Sequence, residues 1–240
     1  PFDVKYLDDN NTETFAWQTS WGVSWRLIGG MIMTHGDDKG LVLPPKIAPI
    51  QVVIIPIYYS DDEKENVIQK ANQIMDDLSK INLRVHLDDR EQLTPGFKFN
   101  DWEMKGIPIR IEIGPKDIAK NQLVLVKRHN QTKTSIDINS FTEKISSELK
   151  NIQKEMFDAA KKILDERIVS VSEYQQFKKE LENGKMIDCS WCGNQTCEDK
   201  IKEETSADLR VIPFDNQQKS ETCIYCKNSG TTNVLFAKGY

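Results

Sequence analysis

The chain of 240 residues has only three histidines and five cysteines, and it carries no excess of positive charge: its formal net charge is −5. It also has no apolar run of about 18 residues, the length a membrane helix needs, and no signal peptide at its start. It is therefore expected to be neither membrane-spanning nor secreted. The acidic balance excludes nucleic-acid binding by bulk charge, so any RNA contact has to be local and shape-selective. Neither a nucleophile–base pair nor a Gly-rich phosphate loop stands out. The odd cysteine count, with no secretory signal, argues against a disulfide framework. With 38% hydrophobic residues the chain can bury real cores, and its length fits two or three domains.

The most informative stretch is Thr19–Pro45, TSWGVSWRLIGGMIMTHGDDKGLVLPP. Thr19–Arg26 is predicted as a strand, with Ser20, Gly22, Ser24 and Arg26 on one face and Trp21, Val23 and Trp25 on the other. Three small residues and then a guanidinium make a floor for a flat ligand, with a planar cation that can stack on an aromatic ring. Leu27–Met33 is apolar nearly all round, as a buried helix is. Its Gly29-Gly30 pair costs helix stability and is expected to admit a closely packed neighbour. Gly36–Gly40 reads as a turn. Upstream, alternation in Phe2–Tyr6 is answered by Phe15-Ala16-Trp17 across Asp8–Asn11, a β-hairpin signature.

Pro44, Pro45 and Pro49 mark a boundary. Beyond it Gln51–Ile57 reads as a buried strand, Asp61–Lys80 as an amphipathic helix and Leu83–Leu87 as a second strand, a βαβ unit. Strands follow at Ile107–Ile113 and Gln122–Arg128, and Ser140 to Glu143 is a capping box opening a helix lined by Phe141, Ile145, Leu149, Ile152, Met156 and Ile163. Between them, Thr94–Gly106 (TPGFKFNDWEMKG) and Arg110–Asp117 interleave aromatics with Lys, Arg and carboxylates. Rings of that kind stack on unpaired bases while Arg, Glu and Asp address base edges. The same composition also fits a solvated charged loop around buried aromatics. Near the end, Ser172–Leu181 is a short helix capped by Gly184. Cys192-x4-Cys197 followed by Cys223-x2-Cys226 has the pair-of-pairs layout of a thiolate zinc site, though Cys189-x2-Cys192 is also a legal first pair. No His accompanies these cysteines, so such a metal would be structural. His35 reads as a structural residue rather than a base.

TSWGVSxR, the apolar helix and GDDKGLVLPP resemble motif 3 of the class II prolyl-tRNA synthetases, TPGFKFNDWEMKG with IRIEIGPKD resembles their anticodon-binding domain, and CGxxxCED resembles the C-terminal domain of the eukaryote- and archaeal-type members. The resemblance implies an α+β / α/β chain: residues 1–49 as the end of an antiparallel class II catalytic sheet, 50–155 as an α/β anticodon-binding domain, and 156–240 as a small α+β zinc-binding domain. It implies an ATP-dependent proline–tRNA ligase of the cytoplasm, a homodimer, with proline, ATP with Mg²⁺, and proline tRNA as partners. Arg26 would stack on adenine as the catalytic cation. Ser20, Trp21, Gly22 and Ser24 would line the site for proline and the tRNA 3′ end. Phe99, Glu103, Arg110, Lys116 and Asp117 would contact the anticodon. Cys192, Cys197, Cys223 and Cys226 would hold a structural Zn²⁺, which some family members lack, and the carboxylate of Tyr240 would reach back toward the active site. Trp25 departs from the family, which has a small hydroxyl residue there. The chain opens at Pro1 without Met, in what reads as mid-fold, so an upstream half carrying motifs 1 and 2 is expected to exist and this chain alone is expected to be inactive. Two rivals are a non-catalytic tRNA-binding protein derived from the synthetase and a zinc-stabilised interaction module with no RNA partner.

Overall fold

The structure is a computed structural model that describes residues 2–214, 222–230 and 232–239. Pro1 and Tyr240 lie outside the described residues, and with them the expectation for the Tyr240 carboxylate. Two compact units are present, Pro1–Ile145 and Ser146–Tyr240.

The first unit opens with the expected hairpin, β1 (Lys5–Leu7) against β2 (Glu13–Phe15), antiparallel with Lys5 opposite Phe15. Asp8 builds its turn: Oδ1 accepts from the backbone N–H of Asn10 and of Thr12, both at 2.9 Å. The predicted strand over Thr19–Arg26 does not form. Residues 16–24 have no regular structure, and Arg26 is instead the first residue of α1 (Arg26–His35). A strand needs a ladder partner for its N–H and C=O groups, and none of the described strands runs beside this segment. The helix is where the sequence places it, but no residue of it is buried. A side chain built at Gly29 or Gly30 would meet nothing within 4 Å, so none of the described residues supplies the neighbour expected to pack there.

After the proline-rich 44–49 segment the chain builds a five-stranded sheet from β3 (Val52–Pro56), β4 (Val85–Leu87), β5 (Ile109–Ile113), β6 (Gln122–Lys127) and β7 (Lys133–Asp137), in the order β4-β3-β5-β6-β7. β3 runs parallel to β4 and β5, and β5, β6 and β7 are antiparallel in turn. All five residues of β3 are buried, which is why it reads as an unbroken apolar run. α2 (Asp61–Lys80) starts on Ser60, whose Oγ accepts from Glu63 N–H, and buries Val67, Ala71, Ile74 and Leu78. Alternation in β5 puts Ile109, Ile111 and Ile113, all fully buried, on one face and Arg110 and Glu112 on the other. Fully burying each such Ile is worth about 1.5–3 kcal/mol. α3 (Pro95–Met104) packs over β3 on the Arg110 side, with Trp102 and Phe99 against Val53 and Ile55. α4 (Pro115–Ala119) follows β5.

α5 (Phe141–Arg167) begins in the first unit and continues in the second. The boundary expected between residues 155 and 156 thus falls inside a continuous helix. Of its predicted apolar positions Phe141 to Met156 are buried, whereas Ile163 is 49% exposed. The second unit then adds β8 (Ile168–Ser170), α6 (Tyr174–Glu182), β9 (Met186–Trp191), α7 (Gln195–Thr205), β10 (Ala207–Val211) and β11 (Thr232–Lys238). Its four strands lie in the order β10-β11-β9-β8, with β8 parallel to β9 and the other pairs antiparallel. The core gathers Phe177, Leu181, Ile187, Ile201, Val234 and Phe236. Gly184, at φ +72°, ends α6 as predicted: its N–H donates to Leu181 O at 3.1 Å and Lys185 N–H to Glu180 O at 3.0 Å, a Schellman motif.

Candidate functional site

The residues implied by the motif 3 resemblance stay in the open. Ser20, Trp21, Gly22, Ser24 and Arg26 are all exposed, Trp21 at 93%. Ser20 borders an open cleft with Phe2, Phe15 and Ala16 of the hairpin segment. Among the described residues no ion pair reaches Arg26, so its guanidinium is not tied to a carboxylate. Trp25 is 87% exposed at the N-cap of α1 and does not pack behind a sheet.

The turn that follows is anchored firmly. Asp37 forms a two-pronged ion pair with Arg128, at 2.7 and 2.6 Å, and Arg128 Nε donates to Glu103 O at 2.8 Å. Arg128 is buried, and its hydrogen bond to Asp37, more than any other contact, lowers that carboxyl to about 2. Leu41 N–H and Leu43 N–H donate to Met104 O and Gly106 O at the end of α3. Gly40 (φ +129°) and Gly106 (φ +73°) permit this backbone-on-backbone contact: a Cβ on Gly40 would lie 2.5 Å from Met104 O, and one on Gly106 2.5 Å from Leu41 O.

Thr94–Gly106 is a helix and its entry rather than a loop. Thr94 caps α3, accepting from Phe97 N–H, with Pro95 at its first position. Beneath the helix is a polar cluster that sequence reasoning missed. Asp88 is fully buried and accepts from Arg90 Nε (2.8 Å), Arg90 Nη2 (2.7 Å) and Trp102 Nε1 (2.7 Å). The Lys98 ammonium, itself buried, lies 3.7 Å from its carboxylate and donates to Asp88 O at 2.9 Å. Burial alone would raise the Asp88 pKa; the hydrogen bonds from Arg90 and Trp102 outweigh it and hold the carboxyl well below the usual range. Arg90 also bridges to Asp101 on α3 at 2.8 Å, and the His86 ring packs on Trp102 with centroids 5.0 Å apart. This cluster bolts α3 to the sheet. Its only sequence signal is the Asp88-Asp89-Arg90 triplet at a strand end.

Three of the five residues expected at the anticodon come together where α3 crosses the sheet. The Arg110 guanidinium stacks over the Phe99 ring at 4.3 Å. Glu103 and Arg110 line one small cleft with Trp102, Arg128 and Gln131. Lys39, from the docked turn, lies 3.2 Å from Glu103 Oε1; that oxygen is buried and has no hydrogen bond of good geometry, so the contact is electrostatic. Lys116 and Asp117 lie beyond the other end of β5, in α4. Lys116 is exposed, and the Asp117 carboxylate accepts from Gly114 N–H at 2.9 Å, capping its own helix.

In the second unit Cys192, Cys197, Cys223 and Cys226 converge, with sulfurs all within 4.8 Å of one another, so that they could hold a metal ion. Four sulfurs bound tetrahedrally about 2.3 Å from one ion would be separated by about 3.8 Å; Cys192–Cys197 and Cys192–Cys226 measure 3.6 and 3.8 Å. Gly193 (φ +79°) turns the chain after β9, and Asn194 caps α7, which brings Cys197 into the first turn of that helix. The Asn194 N–H reaches the Cys192 sulfur and the Asn228 N–H that of Cys226, so the tight turns aim backbone donors at two thiols. Burial pushes Cys197 up to about 12 and raises Cys192, whereas the Asn228 N–H lowers Cys226. A divalent cation would reverse the upward shifts by stabilising the thiolates. Cys189 stays out of the cluster, buried on β9 opposite Val234 and pushed up to about 12 by burial. No histidine joins the group.

Residues 51–148 match the protein-family model described as "Anticodon binding domain", and residues 174–240 match "Prolyl-tRNA synthetase, C-terminal". A protein named Proline--tRNA ligase from Cenarchaeum symbiosum (strain A) is 50% identical over 240 residues, covering 100% of this chain and 50% of its own. One of the same name from Natranaerobius thermophilus is 44% identical over 242 residues, with the same coverage. "Proline--tRNA ligase, chloroplastic/mitochondrial" from Arabidopsis thaliana is 42% identical over 245 residues, covering 100% of this chain and 45% of its own. The chain spans about half the length of the curated relatives it matches. Relatives from bacteria and an archaeon match alike, so these likenesses do not single out one type of the enzyme. No helix among the described residues is long and apolar enough to cross a membrane. The chain therefore carries an anticodon-binding domain followed by the C-terminal domain of a prolyl-tRNA synthetase.

Proposed function

We propose that the chain is the C-terminal half of a cytoplasmic proline–tRNA ligase of the eukaryote/archaeal type, which activates proline with ATP and Mg²⁺ and transfers it to the 3′ end of proline tRNA. The observation that carries this reading is the similarity of the whole chain, from end to end, to proteins named Proline--tRNA ligase. Residues 1–49 would be the motif 3 end of the catalytic domain, 50–155 the anticodon reader and 156–240 a zinc-binding domain. The apolar, uncovered faces of the hairpin and of α1 fit a segment whose packing partner is another part of the protein, the upstream half bearing motifs 1 and 2.

In that assembly Arg26 would stack on adenine, and Ser20, Trp21, Gly22 and Ser24 would shape the site for proline and the tRNA terminus. Adenylate formation needs charge stabilisation and in-line positioning more than a general base, so the scarcity of histidine is no obstacle. Phe99, Glu103, Arg110, Lys116 and Asp117 would read the anticodon, the first three as one stacked and charged surface. Cys192, Cys197, Cys223 and Cys226 would hold Zn²⁺, which links two turns and the start of α7 and has no open position for chemistry. The protein would act as a homodimer.

ATP–pyrophosphate exchange with proline on the full-length protein tests the reading. Exchange that depends on proline is the expected result; its absence from a folded protein overturns the ligase in favour of a non-catalytic tRNA-binding protein. Proline tRNA should also bind more tightly than an anticodon-swapped transcript, and Arg110→Ala should cost about 1–3 kcal/mol of that preference. Equal binding of the two transcripts would favour a zinc-stabilised module without an RNA partner.

A further inference from the structure

Arg110 does not stand alone on its face of the sheet. Its Nε and Nη2 both donate to one oxygen, Glu112 Oε1, at 3.2 and 2.9 Å. The other oxygen, Oε2, accepts from Lys133 Nζ at 2.7 Å. Glu112 is only 4% exposed, so its carboxylate is held by two cations rather than by water. Lys133 comes from β7, two strands away: Arg110 lies opposite Val126 and Val126 opposite Lys133, and the lysine stem crosses that partly covered row to reach Glu112. The triad therefore spans β5 to β7 with the Phe99 ring under its guanidinium.

We propose that Glu112 and Lys133 are positioning residues that hold Arg110 in one orientation, presenting its free Nη1/Nη2 edge to a base with two acceptors; this rests on the anticodon-reading role proposed above. The guanidinium fork has two usable edges. Glu112 occupies the Nε/Nη2 edge, and among the described residues nothing bonds to Nη1. The remaining edge matches two adjacent acceptors, as on guanine O6 and N7; two phosphate oxygens offer the same chemistry. Lys133 has two effects. It fixes the rotation of the Glu112 carboxylate, and it keeps the triad net positive, since an isolated Arg–Glu pair would be neutral toward an anionic ligand. The sequence marks Arg110 and Glu112 but not Lys133, which lies on a polar edge strand with no pattern of its own.

Binding of the full-length protein to proline tRNA transcripts decides the matter, with 7-deazaguanosine, which lacks the N7 acceptor, placed at each anticodon guanine in turn. Wild-type protein should lose about tenfold in affinity at one position. Lys133→Met should abolish most of that sensitivity, and Lys133→Arg should restore it. If Lys133 merely attracted RNA by charge, Lys133→Met would weaken both transcripts equally and leave the ratio unchanged; that result overturns the proposal. A wild-type protein indifferent to 7-deazaguanosine, yet weakened by a methylphosphonate in the anticodon loop, places a phosphate on Arg110 and also overturns it. If wild type does not prefer proline tRNA over an anticodon-swapped transcript, the anticodon-reading role itself fails and this inference with it.

Discussion

Asp88→Asn offers the sharpest test of how α3 is held. Asp88 is fully buried, neutralises Arg90 and the buried Lys98, and accepts from Trp102. An amide keeps the shape but removes the charge, leaving Lys98 in the interior without its counter-ion. Removing one partner of a buried ion pair costs about 3–5 kcal/mol. With a urea dependence of about 2 kcal/mol/M, the unfolding midpoint should fall by roughly 1.5–2.5 M. Acid supplies a second readout. The Asp88 carboxyl is held below the usual range by Arg90 and Trp102 despite burial. It thus binds its proton more weakly when folded, stabilises the fold above the unfolded value of about 4, and loses that contribution as pH falls toward the folded value. The gap between wild type and variant should therefore be widest near neutrality and narrow below about pH 4. A urea midpoint at pH 7 within about 0.3 M of wild type would refute the account of the cluster.

Gly40→Ala should place a Cβ against Met104 O at a φ closed to other residues, costing about 2 kcal/mol or more and lowering the melting temperature by roughly 4–8 °C; an unchanged melt would mean that the turn docks differently. Chelation, or Cys226→Ser, should unfold the second unit while hydrogen-exchange protection of β3 and β5 in the same protein stays unchanged, and metal analysis should return one zinc per chain. Zinc-finger peptides gain about 10–16 kcal/mol from their metal; less is expected here because Phe177, Ile201 and Phe236 pack a core of their own. Arg26→Ala should leave stability within about 0.5 kcal/mol, as befits an exposed residue, yet abolish proline-dependent pyrophosphate exchange in the full-length protein; wild-type exchange would remove Arg26 from the site.

In three elements of the first unit the pattern of the sequence and the structure agree. β3 shows as an unbroken apolar run, α2 runs from Asp61 to Lys80 as its stripe predicts, and β5 alternates Ile109, Ile111 and Ile113 against Arg110 and Glu112. β7 left no such trace, because Lys133–Asp137 is an edge strand with a single buried residue, Ile136. α3 stood out as a candidate stretch but not as a helix: its buried positions are Lys98 and Trp102, and a lysine buried against a carboxylate breaks the apolar periodicity that marks a helix. The Thr19–Arg26 segment failed in the opposite sense. It has the composition of a strand, but strand geometry is completed by neighbours, and none of the described strands lies beside it.

By itself the sequence determined β3, α2, β5 and β6 and their apolar faces, the capped α6 and the four cysteines that converge, because side-chain periodicity and turn chemistry act over a few neighbouring residues. Tertiary structure alone decided which of those residues meet. It separated Cys189 from the four converging thiols, joined Asp37 to Arg128 across 91 positions and drew Lys133 over two strands to Glu112. Contacts of that kind depend on the path of the backbone, and no local pattern encodes a distance between residues so far apart along the chain.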